Sequence, residues 1–187
     1  EISECLVGSE MCIRDRVKVY KGEQNSGDSY LSGIVDISAS KFVSAAIDVN
    51  GDIYRWGANE YGQLGDGSVS CAYEPINVTA LNGKDIVSVH AGEYHSIALT
   101  RDGEVYTWGH NDYGQLGLGN ASIVISTPQK VESLPEIVSI SAGKQHTMVL
   151  GADGYVYSFG DNSLGQLGAH SKDTSKRSST PVVAQGL

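Results

Sequence analysis

Asn50-Gly-Asp-Ile-Tyr-Arg-Trp-Gly-Ala-Asn-Glu-Tyr-Gly-Gln-Leu-Gly65 returns as Asp102-Gly-Glu-Val-Tyr-Thr-Trp-Gly-His-Asn-Asp-Tyr-Gly-Gln-Leu-Gly117, and again as Asp153-Gly-Tyr-Val-Tyr-Ser-Phe-Gly-Asp-Asn-Ser-Leu-Gly-Gln-Leu-Gly168. Eight of the sixteen positions are identical in all three copies, three more change only Asn for Asp, Ile for Val or Trp for Phe, and the copies lie 52 and 51 residues apart. A repeat of that period marks stacked units that bury their apolar faces against one another. Ahead of each copy runs a branched apolar stretch, Ile34-Val-Asp-Ile, Ile86-Val-Ser-Val and Ile137-Val-Ser-Ile. Ala91-Gly-Glu-Tyr-His95 and Ala142-Gly-Lys-Gln-His146 follow the second and third of these, with Ser40 and Val43 in the Gly and His places of the first.

Short apolar runs separated by turn chemistry predict strands. In the middle unit they are Ile86 to Ala91, His95 to Thr100, Glu104 to Trp108 and, after a proline, Gln129 to Leu134. Asn50-Gly51, Asp102-Gly103 and Asp153-Gly154 each supply the backbone freedom that closes a hairpin. The Glu74-Pro75, Thr127-Pro128 and Thr180-Pro181 elements recur every 53 residues, and the last of them reads as the opening of a further unit. Four antiparallel strands in about 51 residues, repeated without a helical pattern, are propeller blades. The expected fold is all-β, an incomplete β-propeller of about three four-stranded antiparallel blades, near 34–81, 86–134 and 137–187, plus the start of a fourth.

The invariant positions have structural jobs in that frame. Gly51, Gly103 and Gly154 turn the hairpins; Trp56, Trp108 and Phe159 are core aromatics, each followed by a glycine (Gly57, Gly109, Gly160) and two residues later by Asn59, Asn111 or Asn162. Gly62, Gly65, Gly114, Gly117, Gly165 and Gly168 bracket Gln-Leu in an irregular loop. There Gln63, Gln115 and Gln166 should bond loop backbone, and Leu64, Leu116 and Leu167 should pin the loop to the core. This Gly-Gln-Leu-Gly block, with the upstream Asp/Asn-Gly-x-Val-Tyr-x-Trp-Gly-x-Asn, resembles the repeat of the regulator of chromosome condensation family, a seven-bladed propeller. The resemblance runs from Ile34 to Leu187 and departs from the family in number, with three whole blades against seven. It implies two further functions: guanine-nucleotide exchange on a small GTPase, or service as the propeller part of a multidomain ubiquitin ligase.

Composition bounds the partners. The chain has 187 residues with 13 Lys and Arg against 22 Asp and Glu, a net charge of −9 and a pI near 4.9. That is the opposite of the basic surface that nucleic acid selects. No run approaches the ~18 apolar residues of a membrane span. The three cysteines, Cys5, Cys12 and Cys71, form no disulfide framework, which suits a cytoplasmic or nuclear setting. Residues 1–16 hold two of those cysteines and read as a non-native or disordered segment, and 17–33 as a lead-in or the remnant of a preceding blade. The whole reads as a fragment of a larger protein.

Catalytic, metal and cofactor sites are not expected. His95 and His146 occupy equivalent repeat positions and read as structural, and His90 and His95 lack metal-ligand spacing. Asp48-Val-Asn50-Gly-Asp52 lacks the distal Glu of a calcium loop. The Asn77-Val-Thr79 and Asn120-Ala-Ser122 sequons are weak signals. What remains is loop surface. Strand order places the turn between the first two strands and the long loop between the last two on one face of the disc. That face carries Lys41, Phe42, Glu93, Tyr94, Lys144 and Gln145 from the turns, and Glu60, Tyr61, Asp112 and Tyr113 from the loops. Acidic residues beside tyrosines are the chemistry of a protein contact. Lys172, Lys176 and Arg177 read as a solvated stretch. An arc that leaves its terminal blades bare should also associate with itself. The expected function is a non-enzymatic protein-binding scaffold.

Overall fold

The computed structural model describes residues 19, 30–120, 123–169 and 176–184; residues 1–16, most of the lead-in and Lys172 lie outside the described residues. Three four-stranded antiparallel sheets fill it. The first holds β1 (Ile34–Ala39), β2 (Val43–Asp48), β3 (Ile53–Gly57) and β4 (Ala72–Asn77). The second holds β5 (Ile86–Ala91), β6 (His95–Thr100), β7 (Val105–His110) and β8 (Val124–Lys130). The third holds β9 (Ile137–Ala142), β10 (His146–Gly151), β11 (Val156–Asp161) and β12 (Arg177–Val183). A single 3-10 turn, Thr79–Leu81, is the only helix among the described residues, and none is long or apolar enough to cross a membrane. In each sheet the strands lie in chain order, and neighbouring sheets meet along their first and second strands. These are propeller blades, with β1, β5 and β9 innermost and β4, β8 and β12 at the rim.

Each hairpin between the second and third strands turns on its glycine: Gly51 lies at φ +80°, Gly103 at +79° and Gly154 at +84°. The preceding Asn or Asp keeps a negative φ, so only the glycine takes the left-handed position. Two strand boundaries differ from the sequence expectation. The third strand of the middle blade starts at Val105 and runs to His110, because Glu104 is spent on the turn, its carbonyl accepting from Thr100 N at 2.9 Å. The fourth strand is Val124–Lys130, so Pro128 lies inside it rather than before it.

A bulge makes room for that proline. Thr107 pairs with Gln129 and Gly109 with Ile125, leaving Trp108 alone opposite Ser126, Thr127 and Pro128. The same break sits opposite Trp56 in the first blade and Phe159 in the third. Proline lacks an N–H, and a bulge on an outermost strand needs none. By the same reasoning Thr180-Pro181 belongs to β12 of the third blade and does not open a fourth.

The cores lie in the seams. Ala45, Ile47 and Ile53 of the first blade close on Val89, Ala98, Tyr106 and Trp108 of the second. Ile97, Leu99 and Val105 close in turn on Ile140, Val149 and Phe159 of the third. Trp108 and Phe159 are wholly buried because each enters the Gly-Gln-Leu-Gly loop of the blade before it. A Cβ on Gly65 would stand 2.6 Å from the Trp108 indole nitrogen, and one on Gly117 would stand 2.9 Å from the Phe159 ring. Both glycines also have positive φ, +86° and +70°. Only glycine meets both demands.

Candidate functional site

The Gly-Gln-Leu-Gly loops hold one face of the disc in shape. Gln63 Oε1 accepts from Tyr61 N at 2.9 Å, Gln115 Oε1 from Tyr113 N at 3.0 Å, and Gln166 Oε1 from Leu164 N at 2.9 Å. Asn59, Asn111 and Asn162 accept from Leu64, Leu116 and Leu167 N at 2.9, 3.0 and 3.2 Å. The three leucines are buried. Each loop is therefore internally bonded, and the residues ahead of its glutamine are presented from a fixed frame.

On that frame the structure brings together most of the predicted contact residues. Phe42 and Tyr94 lie with ring centroids 6.4 Å apart, Tyr61 and Tyr94 5.0 Å apart. Tyr61 meets the His110 ring edge-on at 4.6 Å, and His110 leads on to Tyr113 at 6.4 Å. The result is an aromatic ladder running from the first blade across the second. Beside it, Glu93 takes Lys41 at 3.3 Å and Lys144 at 3.2 Å, so one carboxylate ties turns from three blades. Partial burial pushes the Glu93 carboxyl up, but hydrogen bonds from Lys144, Lys41 and Tyr94 outweigh it and hold the group below its ordinary range. The Tyr94 hydroxyl is pushed up, chiefly by its bond to that carboxylate. A depression of about 310 Å³ opens among these turns.

Two predicted residues stand apart from the ladder. Glu60 is exposed beside it. Gln145 lines a second hollow, of about 570 Å³, with Tyr113, Asp161, Ser163, Lys176 and Arg177. Arg177 is not simply solvated, since its Nη1 donates to the Asp112 carbonyl at 2.7 Å and ties the third blade's rim strand to the second blade's loop.

His110 is the member that sequence reasoning missed. Its Nδ1 lies 2.8 Å from Gln115 Nε2 and its Nε2 3.0 Å from Asp112 Oδ2. An amide nitrogen only donates, so Nδ1 accepts and the ring proton sits on Nε2, aimed at the Asp112 carboxylate. The ring is thereby locked at the centre of the ladder. Its repeat position holds Ala58, His110 and Asp161 in turn. The signal lay in that variation, because variable positions on a fixed frame are where a binding face differs from its sister blades.

Two further buried groups belong to the seams behind this face. His95 has an Nε2 2.9 Å from Thr147 Oγ1, whose own hydroxyl donates to the Gln115 carbonyl at 2.8 Å. Burial, with lesser contributions from His146, His110 and Arg55, pushes His95 down to about 3. It is a structural, neutral imidazole. Arg55 is wholly buried, its guanidinium 5.2 Å from the Trp108 ring centroid, with no hydrogen-bond acceptor for Nε, Nη1 or Nη2 among the described residues. Burial pushes it down to about 9.

The family model described as regulator of chromosome condensation (RCC1) repeat matches residues 50–99, 102–150 and 153–187, and a second model of the same description matches 86–115 and 137–166. Probable E3 ubiquitin-protein ligase HERC6 of Homo sapiens is 37% identical over 158 residues, covering 82% of this chain and 16% of the ligase. The ultraviolet-B receptor UVR8 of Arabidopsis thaliana is 35% identical over 138 residues, covering 72% of this chain and 31% of the receptor. The chain thus spans under a third of the length of either relative. Among solved structures, Prp20p of Saccharomyces cerevisiae superposes with a TM-score of 0.74 at 23% identity, over 82% of this chain and 39% of that one. Human WBSCR16 superposes at 0.73 and 21%, over 88% and 44%. The chain belongs to the RCC1 repeat family.

Proposed function

We propose that this chain, as a stretch of RCC1-repeat propeller, is a non-catalytic protein-binding module, and that the loop face carrying the aromatic ladder docks the partner. The observation that carries the reading is the continuity of Phe42, Tyr94, Tyr61, His110 and Tyr113 across a seam, on loops whose backbone is already bonded. Rigid aromatics supply contact area at little entropic cost and dominate the energetics of protein interfaces. The Lys41, Glu93 and Lys144 group sets a mixed-charge border beside them.

A photo-crosslinking amino acid at position 61 should capture a partner that the same group at Tyr155, exposed on a hairpin at the opposite end of the strands, does not. Tyr94→Ala should then weaken binding of the captured protein by about tenfold or more. Equal capture from both positions would refute the assignment of the face.

The likeness to Prp20p, whose solved structure is described with its binding to Gsp1p and histones, favours a second reading: exchange of guanine nucleotide on a small GTPase. Release of labelled GDP from a GTPase panel tests it. The HERC relatives favour a third, in which the propeller serves a ubiquitin ligase as its docking part while the chemistry resides elsewhere.

A further inference from the structure

Five times in the chain an Asn or Asp stands directly before a glycine: Asn50-Gly51, Asp66-Gly67, Asn82-Gly83, Asp102-Gly103 and Asp153-Gly154. Such a pair is chemically labile, because a glycine nitrogen with no neighbouring Cβ to obstruct it can attack the preceding side-chain carbonyl carbon and close a five-membered ring. In four of the five the glycine N–H is held. Gly51, Gly103 and Gly154 N donate to the Asp48, Thr100 and Gly151 carbonyls at 3.0, 3.1 and 3.0 Å, each as the residue that closes its turn, and Gly67 N donates across the first seam to the Ser126 carbonyl at 3.0 Å. Asn50 is restrained further, since the Asp48 carboxylate accepts from its backbone N at 2.9 Å and from its Nδ2 at 3.4 Å.

Gly83 is the exception. It lies in the link between β4 and β5, where Lys84 N donates to the Leu81 carbonyl at 3.1 Å. Asn82 has φ −58° and ψ 132°, and Gly83 has φ +76°, so Leu81 to Lys84 form a type II turn. Gly83 is the third residue of that turn, and its N–H belongs to the central peptide, outside the closing bond. Neither this N–H nor the Asn82 side chain has a hydrogen-bond partner among the described residues. Both residues are exposed, and nothing lies within 4 Å of where a Cβ on Gly83 would stand. Turning the central peptide over converts the turn to type I, keeps the bond from Lys84 to Leu81, and swings the Gly83 nitrogen past the Asn82 side chain. At Asn50 the same approach has to break the bond that closes the hairpin.

We propose that Asn82 is a site of spontaneous covalent modification, in which the turn deamidates to aspartate and isoaspartate. The Gly83 nitrogen gives up its proton and bonds to Asn82 Cγ, the Cγ–Nδ2 bond breaks, and ammonia leaves a cyclic imide. Water then opens the ring at either carbonyl, so the balance is one water consumed and one ammonia released. Opening at the original backbone carbonyl carries the main chain through the former side chain and lengthens it by one methylene. That insertion falls between Leu81 and Ile86, 2% and 3% exposed, which anchor the link in the core of the first seam. Either product adds one negative charge beside Lys84 and Asp85. The site lies at the end of the strands opposite the loop face and stands whether or not that face binds a partner.

The full chain can be held in warm, mildly alkaline buffer, sampled over days and digested with trypsin, which places Asn50 in the peptide 42–55 and Asn82 in 56–84. Fragmentation mass spectrometry should show residue 82 becoming heavier by about 1 Da, as two chromatographically distinct isomers. Residue 50 should convert at least about tenfold more slowly, because its reaction waits on local opening of the hairpin. A parallel incubation in urea measures what the two Asn-Gly pairs do without the fold, and there the rates should converge to within about twofold. An isoaspartyl methyltransferase should label the 56–84 peptide from the folded sample, and Asn82→Gln, at an exposed position, should abolish that label. Equal conversion at residues 50 and 82 in the folded chain would overturn the proposal. So would a residue 82 that stays intact in the fold while it reacts in urea.

Discussion

The seam between the first and second blades and the seam between the second and third meet one requirement by different means. At the second seam, Thr107, two residues before the conserved glycine, donates to its own loop carbonyl at Leu116, 2.8 Å away. Ser158 does the same to Leu167 at 2.6 Å in the third blade. In the first blade that place belongs to Arg55, which lays its guanidinium on Trp108 and finds no acceptor among the described residues. The Gln carbonyl is the fixed station in both seams: Gln63 O takes Trp108 Nε1 and Ser96 Oγ, each at 2.9 Å, and Gln115 O takes Thr147 Oγ1. The repeat therefore specifies where a donor must arrive and leaves its identity open. A buried group without a partner carries a penalty that a satisfied hydroxyl does not.

Aromatic truncation should separate the seams from the end face most strongly. Trp108→Ala and Phe159→Ala should each lower unfolding stability by about 3 to 5 kcal/mol, as expected for a fully buried ring. Trp56→Ala, at the same repeat position without a preceding blade among the described residues, should cost less than half as much in dilute solution. Urea midpoints of the three variants give the ranking directly. Equal losses would mean that the three faces are equally covered.

Acid should strike the second seam next. His95 is neutral in the fold and titrates near 3, whereas in the unfolded chain it titrates near its ordinary value. Above about pH 6.5 neither state binds the extra proton. As pH falls from there toward 3 only the unfolded state does, so stability drops by up to about 1.4 kcal/mol per pH unit. His95→Gln should remove that slope while keeping a donor for Thr147. An unchanged slope would place the acid sensitivity elsewhere.

Arg55→Met should raise stability by about 1 to 3 kcal/mol at neutral pH, removing an unpaired buried cation while keeping its volume. The folded value is depressed to about 9, so below pH 9 both states hold the proton and the penalty is fully present. Above it the unfolded state binds more protons, and wild-type stability should climb toward that of Arg55→Met. A less stable Arg55→Met would show that the guanidinium is satisfied after all.

These contrasts also mark what the sequence could reveal. The Gly-Gln-Leu-Gly blocks specify blades because Gly65 and Gly117 have one job that no other residue fills, and the glutamines bond loop backbone as expected, while the matching bonds of the asparagines emerge only in the structure. The loop face followed from strand order alone. Pro128 was legible as a break in pairing but not as a bulge within a strand, because an edge position is a property of the sheet. His110 and Arg55 were hidden by the repeat itself, which makes an aligned variable position look like filler. Whether such a residue faces a seam or a rim depends on the neighbouring blade. The Glu93 contact to Lys41 and Lys144 joins residues about fifty apart on either side, and only ring geometry sets its distances.

Glu93→Gln should have the smallest effect and the most specific signature. The ion pairs it removes have lysine ends that are 61% and 69% exposed, so solvent and side-chain entropy offset most of their attraction. Any stability gap between wild type and Glu93→Gln should therefore be small and confined to low ionic strength, since exposed charges are screened within about 8 Å at physiological salt. Its pH dependence has one sign. Glu93 is held below its ordinary value in the fold, so its contribution is present above the unfolded carboxyl range and fades as pH falls through the lower folded value. Melting curves of both proteins at low and high salt, at pH 7 and pH 3, should show a gap at low salt that narrows from pH 7 to pH 3 and closes at high salt. A gap that survives high salt would mean that Glu93 holds the three turns by packing and hydrogen bonding rather than by charge. The seams would then have a third fastening at the axis, beside the apolar cores and the glutamine carbonyls.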